Sequence, residues 1–381
     1  MSGRERLKIV LSGMVAGDPG QGGASWAVLQ YFHGLSECGH EVLLVEPLRD
    51  AKGSPRRLAD APAAAEYFRS LRLPEGRAAL LGGRDDEALG LDYAQVVGFA
   101  AEADLLINIS GMLRDERLLE PIPTRLFLDL DPGFNQVWAA SGEEMGFDLH
   151  THWATVGQRL GHDDCPVPTC GREWLHTLPP VALAHWPLAA DPPRRQAFTS
   201  VGHWRSYGSI EHGGIAYGQR AHSLRELISL PRQSPARFEL ALGIHPDEVA
   251  DLEMLAANAW LLVDPEQVAG TPDAYAAFVR ESQAELCVAK SGYVNARTGW
   301  FSDRSAAYLA SGRPVVAQDT GFGEALPSGE GLLRFSTVEE AAEAVATVGA
   351  EPARHAAAAR AIAVEHLDAR KVLTSLLERL R

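Results

Sequence analysis

Apolar positions along the chain form short continuous runs that alternate with longer segments of helical period. Such short runs are typical of strands buried in a parallel sheet. Between two of them, residues 24–36 place Trp26, Leu29 and Phe32 at helical spacing. The alternation predicts a parallel α/β sheet in the first half of the chain. Its expected strands are residues 7–11, 40–45, 105–109, 125–130 and 153–156.

A second series of the same kind follows a proline-rich segment, residues 183–195, which we interpret as a linker. The expected domains are therefore residues 1–190 and 196–369. In the second domain the predicted strands are 198–202, 238–242, 259–263, 284–289, 314–317 and 332–335, and the last helices are 339–348, 353–366 and 372–380.

Composition narrows the class of protein. The 381 residues are 46% hydrophobic and 22% charged, with a formal net charge of −15. An acidic chain lacks the basic footprint of a nucleic-acid binder, so no nucleic-acid partner is expected. The apolar run at residues 9–11 is too short for a signal sequence or a membrane span. We expect a cytoplasmic enzyme without a transmembrane segment, either a monomer or a homodimer.

Four cysteines in a chain of this length argue against a disulfide scaffold. Cys165 and Cys170 lie near His162, but a structural zinc site needs four ligands at tighter spacing. The pattern favours reduced thiols in a proline-rich loop, and no metal site is expected.

The segment from residue 300 to residue 331 carries the most specific chemistry. Ser302 is a predicted N-cap of a helix, and Arg304 follows in its first turn. A helix N-terminus with an adjacent guanidinium favours a bound diphosphate. Asp319, Thr320 and Gly321 come directly after the apolar strand 314–317, at the strand end where open α/β sheets bind ligands.

The same segment resembles glycosyltransferases of the GT-B fold. The similarity rests on AYLASGRPVV followed by DTGFGEALPSGEGLL, and it extends over most of the chain. The resemblance implies two Rossmann-like domains that face each other across a cleft. It also implies transfer of a sugar from a nucleotide-diphosphate sugar, with UDP-sugars expected, to a hydroxyl or amine of a small molecule or natural product. No cofactor and no metal are expected, and residues 370–381 should pack back on the first domain.

The resemblance assigns roles to residues of the second domain. Glu324 falls where the family often has a sugar-binding glutamate, and we expect Asp319, Thr320 and Gly321 to contact the sugar as well. A ribose-binding glutamate is expected at position 307, where this chain has Ala307. Ribose binding must therefore follow another route.

Basic residues complete the predicted donor site. The family commonly carries two cations early in the second domain, and Arg205 and Arg220 are the candidates here. Lys290 ends an apolar strand directly before the sequence Ser-Gly and should face the same crevice. With Ser302 and Arg304, these residues are the predicted diphosphate ligands.

The glycine-rich loop of the first domain, SGMVAGDPGQGGAS, lacks the Gly-Lys-Ser/Thr ending of a Walker loop. In the resembling family this loop shapes the acceptor site, so Gly22 and Gly23 are expected to line the cleft. Asp18 is a candidate general base, although Asp-Pro-Gly is equally compatible with a simple turn. The glycines and Glu46 also fit, more weakly, a dinucleotide-binding loop.

Two further groups in the first domain carry titratable side chains. Asp129 and Asp131 alternate at the end of a strand and therefore share one face, which we interpret as a wall of the cleft. His150 and His152 are candidate general bases, since histidine serves this role near neutral pH. The alternatives to a glycosyltransferase are an NAD-dependent oxidoreductase and a non-catalytic relative that binds sugar nucleotides.

Overall fold

A computed structural model of the chain describes residues 6–50, 53–83 and 87–380. The first half forms a sheet in the order β4-β3-β2-β1-β5-β6-β7-β8. All neighbouring strands are parallel except β3 and β4. The strands are β1 Lys8–Ser12, β2 Glu41–Pro47, β3 Ala78–Leu81, β4 Ala88–Gly90, β5 Leu105–Ile109, β6 Thr124–Asp129, β7 His152–Thr155 and β8 Trp174–His176.

The second half forms a fully parallel sheet in the order β13-β12-β9-β14-β15-β16, with a separate antiparallel hairpin of β10 and β11. Its strands are β9 Arg195–His203, β10 Ile210–His212, β11 Ile215–Tyr217, β12 Phe238–Gly243, β13 Leu261–Leu262, β14 Ser282–Cys287, β15 Val315–Gln318 and β16 Leu332–Phe335.

Helices cover the sheets, as parallel strands require. They are α1 Gly22–Glu37, α2 Pro62–Ser70, α3 Tyr93–Ala101, α4 Glu116–Leu119, α5 Phe134–Ala140, α6 Arg220–Glu226, α7 Leu230–Gln233, α8 Val249–Ala257, α9 Pro265–Ala269, α10 Pro272–Glu281, α11 Ser291–Asn295, α12 Asp303–Ala310, α13 Val338–Ala350, α14 Pro352–Ile362 and α15 Ala369–Glu378. None of the helices in the described part of the chain is long and apolar enough to span a membrane.

The apolar runs of the sequence predict most of these strands to within a few residues. The predicted α/β class with two parallel sheets is confirmed. The prediction lacks the short strands β3, β4, β8, β10 and β11, because three or four residues leave too short an apolar run to recognise. The predicted domain limits at residues 190 and 196 stay a prediction.

Both sheets contain a point at which the strand order reverses. In the first sheet β1 lies between β2 and β5, and in the second β9 lies between β12 and β14. Loops leave such neighbouring strands in opposite directions, which opens a crevice at their carboxyl ends. The candidate site lies between these two crevices.

The two halves pack closely against each other around α1. A Cβ atom on Gly22 would lie 2.1 Å from the carbonyl oxygen of Thr271, and one on Gly23 would lie 3.0 Å from the ring of Tyr275. Trp26 Nε1 donates a hydrogen bond of 2.9 Å to the carbonyl of Pro272. The start of α1 therefore needs residues without side chains, because the second domain occupies that space.

The C-terminal helix returns to the first sheet. In α15 the side chains of Ala369 and Leu373 meet α1 at Gly34, where a Cβ atom would lie 2.6 Å from each of them. Just before the helix, Val181 of the first half donates its backbone N–H to Leu367 and accepts one from Ala369. The end of the chain thus contributes to the core of the first half.

Candidate functional site

A cavity of about 540 Å³ lies between the carboxyl ends of the two sheets. Its first-domain wall comes from the loop after β1, from α1 and from the residues after β5 and β6. Its second-domain wall comes from the ends of β9 and β12, from α9 and from the starts of α11 and α12. A cavity of this size accommodates a nucleotide-sized ligand.

Three cations of the second domain line this cavity: Arg220, Lys290 and Arg304. Arg220 is buried, and its guanidinium donates to the backbone carbonyls of Val288 at 2.9 Å and His203 at 3.0 Å. Burial, with the neighbouring charge of Arg304, lowers its pKa to about 10, so the group stays cationic at neutral pH. These bonds fix the guanidinium beside Gly202, where a Cβ atom would lie only 2.5 Å from Nη1.

Lys290 connects the two domains through Asp131. Its Nζ lies 3.0 Å and 3.3 Å from the two carboxylate oxygens of Asp131 and also contacts the hydroxyl of Tyr207. The hydroxyls of Tyr207 and Tyr293 both donate to the same carboxylate. Burial lowers the pKa of Lys290, whereas Asp131 acts in the opposite direction. The first domain therefore supplies an anion to a cation of the second.

Helix α12 presents its first turn to the cavity. The Ser302 hydroxyl accepts the backbone N–H of Arg304 at 3.2 Å, so it caps the helix as predicted, but Ser302 does not line the cavity. Asp303 and Arg304 do. Ala307 is buried and does not line the cavity, so the position that a ribose-binding glutamate would occupy faces the protein interior.

A buried carboxylate, that of Glu285, interacts with the charges of Arg304 and Arg220. Glu285 is buried, and its Oε2 has no hydrogen-bond partner among the described residues. Burial raises its pKa to about 7, opposed by Arg304 and Ser305. Glu285 therefore lies close enough to Arg304 to balance part of its charge.

A series of hydrogen-bonded side chains crosses the cleft at its other end. His203 Nε2 donates to Gln21 Oε1 at 2.9 Å, and the amide of Gln21 donates to Asp18. Burial, with Arg220 next in effect, lowers the pKa of His203. Gln21 and His203 line the cavity, but Asp18 does not. The predicted base at Asp18 thus reaches the cavity only through Gln21.

The predicted sugar-binding residues lie outside the cavity. Asp319 accepts the backbone N–H of Gly321 at 2.8 Å and lies 3.6 Å from Arg334, while Thr320 donates to the carbonyl of Trp300 at 2.5 Å. Glu324 lies 3.5 Å from Arg159 of the first domain. Other side chains and backbone groups of the protein already contact these four residues, Asp319, Thr320, Gly321 and Glu324. Their role in the structure is therefore to shape loops and to connect them.

Two predicted bases lie away from the ligand-binding edge. His150 is buried, with its ring bonded to Asn108 at 3.0 Å and to the carbonyl of Gly146 at 2.7 Å. Burial lowers its pKa to about 4. His152 is the first residue of β7, at the amino end of the strand, whereas the cavity lies at the carboxyl ends. The structure therefore gives neither histidine access to a ligand in the cavity.

Three other candidates also have structural partners. Asp129 is fully buried and accepts hydrogen bonds from Asn135, Gln136 and Thr155, which builds the turn that places Asp131 in the cavity. Arg205 lies outside the cavity lining, with its Nε 2.5 Å from a carboxylate oxygen of Glu248. Of the glycines, Gly23 lines the cavity and Gly22 contacts the second domain.

Sequence reasoning missed several residues that line the cavity: Gln21, His203, Glu266, Tyr293 and Asp303. His203 could have been found, because it follows an apolar strand and a glycine, the same kind of signal that identifies Lys290. Gln21 lies in the glycine-rich loop, where only Asp18, Gly22 and Gly23 are singled out from the sequence, and Glu266 lies in a segment without any such signal. The described residues contain no group of three or more histidine, cysteine, aspartate or glutamate side chains arranged around a common point for a metal.

A known protein family matches part of the chain. Residues 264–378 match the family described as "Glycosyl transferase-like". This match runs from α9 to α15 and so includes Lys290 and Arg304. No curated protein matches the chain.

Solved structures resemble the whole chain. An alpha-glucosyltransferase in complex with UDP and a DNA 13-mer has 11% identity and a TM-score of 0.60, over 99% of this chain and 100% of that one. Sucrose-phosphate synthase from Thermosynechococcus elongatus has 12% identity and a TM-score of 0.56, over 98% and 99%. Anabaena HepE in complex with UDP and glucose has 15% identity and a TM-score of 0.57, again over 98% and 99%.

These similarities confirm the predicted GT-B fold, because they extend over essentially the full length of each pair. The family match over residues 264–378 and the shared fold both agree with the resemblance to GT-B glycosyltransferases seen in the sequence. The predicted enzyme class is therefore confirmed at the level of a glycosyltransferase.

Proposed function

We propose that the protein transfers a sugar from a UDP-sugar to a hydroxyl or amine of a small acceptor, without a metal ion. One observation carries this proposal: Arg220, Lys290 and Arg304 converge on a single cavity at the switch point of the second sheet. Three fixed cations can balance the charge that develops on the leaving diphosphate, which is the role of a metal in other transferases. UDP is the nucleotide bound in the similar alpha-glucosyltransferase and HepE structures.

The cations have different parts in this proposal. Arg220 is held by backbone carbonyls and gives a fixed positive charge. Arg304 has no hydrogen bond from its guanidinium to any described residue, so its donors are available to phosphate oxygens. Because a charged hydrogen bond contributes roughly 1.5–3 kcal/mol, replacing Arg304 should weaken UDP binding about 10- to 100-fold.

The alternative of an NAD-dependent enzyme gains no support from the first loop. Glu46 would have to hold a ribose, but its carboxylate accepts the backbone N–H groups of Ala16 at 2.8 Å and Gly17 at 2.7 Å. Glu46 is fully buried and holds the glycine loop together instead.

Calorimetric titration with UDP, GDP, dTDP and ADP tests the proposal. The variant Arg304→Gln should lose UDP affinity as above, whereas Arg205→Gln, which removes a cation outside the cavity, should bind UDP like the natural protein. Binding of none of the four nucleotides, or equal losses in both variants, would refute the proposed site. Binding that disappears in EDTA and returns with Mg²⁺ or Mn²⁺ would refute metal independence. Slow hydrolysis of a bound UDP-sugar would separate an enzyme from a non-catalytic relative.

A further inference from the structure

A second, smaller cavity adjoins the first and lies between α1 and the segments around Pro179 and Trp300. Its volume is about 20 Å³, which is enough for one water-sized group. Ala27, Leu130, Trp300 and Asp303 line both cavities, so the two are neighbours with a shared wall. We call this smaller cavity the inner chamber.

Tyr31 lines the inner chamber and carries a buried hydroxyl. The side chain is 2% exposed, and its Oη has no hydrogen-bond partner among the described residues. Leaving such a group unpaired is unfavourable, which favours a partner that enters the chamber. Burial, reinforced by the charge of Asp303, raises the pKa of Tyr31, so the phenol stays protonated and able to donate.

Asp303 brings an acceptor to the same chamber. It is the first residue of α12 and immediately precedes Arg304. Within the described part of the chain, its carboxylate receives no hydrogen bond or ion pair from another side chain. Gln30 also lines the chamber, and its amide oxygen already accepts the backbone N–H of Ala182 at 2.8 Å. The walls formed by Val156, Pro179 and Phe301 are apolar. The chamber therefore combines the Tyr31 hydroxyl as a donor and the Asp303 carboxylate as an acceptor with mostly apolar walls.

A hydroxyl group matches this arrangement. It can accept a hydrogen bond from Tyr31 while it donates one to Asp303, whereas a methyl group can do neither and a carboxylate can only accept. The volume admits one such substituent and excludes a sugar ring. The arrangement thus selects for a substituent of a larger ligand that lies in the main cavity.

We propose that the inner chamber binds one hydroxyl or hydroxymethyl group of the sugar substrate, held by Tyr31 and Asp303. This inference rests on the proposed function, because a diphosphate at Arg304 brings the transferred sugar next to Asp303. Tyr31 and Asp303 then determine specificity, since a site built to bond a hydroxyl discriminates against an analogue that lacks it.

Calorimetric titration with UDP, UDP-glucose and UDP-xylose, which lacks the hydroxymethyl group, tests this specificity. The natural protein should prefer UDP-glucose to UDP-xylose by about tenfold or more, in line with one buried hydrogen bond. Tyr31→Phe should reduce that preference to about threefold or less and leave UDP affinity unchanged. Tyr217→Phe is the matched control, because the Tyr217 hydroxyl is also buried without a partner but lines neither cavity.

Titration of the UDP-saturated protein with free glucose and xylose identifies the source of the hydroxyl. A preference that depends on Tyr31 and appears only with the free sugars would assign the hydroxyl to the acceptor. If UDP binds but neither set of sugars shows a preference dependent on Tyr31, the inner chamber has no such role and the proposed function stands. If UDP itself does not bind, the proposed function fails and this inference fails with it.

Discussion

Replacement of Asp131 by asparagine should raise the affinity for UDP, although Asp131 lines the cavity. Its carboxylate lies 3.0 Å from the ammonium of Lys290 and accepts the hydroxyls of Tyr207 and Tyr293. A diphosphate that binds to Lys290 must compete with this carboxylate. Asp131 is therefore an internal competitor of the donor for one of its three cations.

The size of the effect follows from this geometry. Two unit charges 3.0 Å apart attract by roughly 5 kcal/mol at an effective dielectric constant of about 20. Much of this is offset by the cost of removing both groups from water, and asparagine keeps a hydrogen-bond acceptor in place. We therefore expect a net gain of about 1–2 kcal/mol in UDP binding, or roughly 5- to 30-fold in Kd. In the absence of UDP, the Asp131→Asn variant should also be less stable to unfolding than the natural protein, since Lys290 loses its counter-charge.

A double-mutant cycle measured by calorimetry isolates the interaction. UDP is titrated into the natural protein, Asp131→Asn, Lys290→Met and the double variant. The gain caused by Asp131→Asn should disappear in the Lys290→Met background, because the competition acts through Nζ. Glu266→Gln, which removes a carboxylate from the same cavity, should change UDP affinity by less than about threefold. Weaker binding by Asp131→Asn, or an equal gain in both backgrounds, would show that Asp131 does not compete for Lys290.

Two further predictions concern the packing and the charges around the cavity. Gly22→Ala should destabilise the protein by about 1–3 kcal/mol in thermal or denaturant unfolding, because the new Cβ meets the Thr271 carbonyl at 2.1 Å. Gly98→Ala in α3, with no atom within 4 Å, should instead stabilise by about 0.5–1 kcal/mol, and equal effects would contradict the close domain contact. Burial raises the pKa of Glu285 to about 7 from an ordinary value of 4.5. Between these two pH values the folded state retains a proton that the unfolded state releases. The free energy of unfolding therefore falls as pH rises from 4.5 to 7. Glu285→Gln should therefore match the natural protein near pH 4.5 and exceed its stability by up to about 3 kcal/mol at pH 8, and parallel stability curves would refute a raised pKa.

In the second domain, the sequence predicts the cavity-lining residues that follow the carboxyl end of a strand or lie at the start of a helix. Lys290 comes three residues after the apolar strand β14, and Arg304 lies in the first turn of a capped helix. Both signals are local, because strand direction and helix capping depend on a few neighbouring residues. The same reasoning predicts that Asp131 lines the cleft, since Asp131 comes two residues after the end of β6.

The predictions that the structure does not support concern residues whose partners are distant in sequence. Asp319 and Glu324 follow a strand as ligand residues do, yet Arg334 and Arg159 lie beside them. Nothing near Glu324 in the sequence indicates a partner 165 positions earlier in the chain. His152 directly precedes a predicted strand, but only the parallel pairing of β6 and β7 shows that it lies at the edge away from the cavity.

The position of one domain relative to the other determines both cavities. The loop after β7 pairs with the segment before α12: Gln158 donates its backbone N–H to Gly299 at 3.3 Å and Arg159 to Thr298 at 3.1 Å. Trp300, which lines both cavities, forms a β-bridge with Gly157. The apolar core around Trp300 continues through both halves of the chain. Because Tyr31 lies on the first domain and Asp303 on the second, the inner chamber exists only while these contacts hold. Recognition of the sugar hydroxyl therefore depends on domain packing as well as on the residues that bond it.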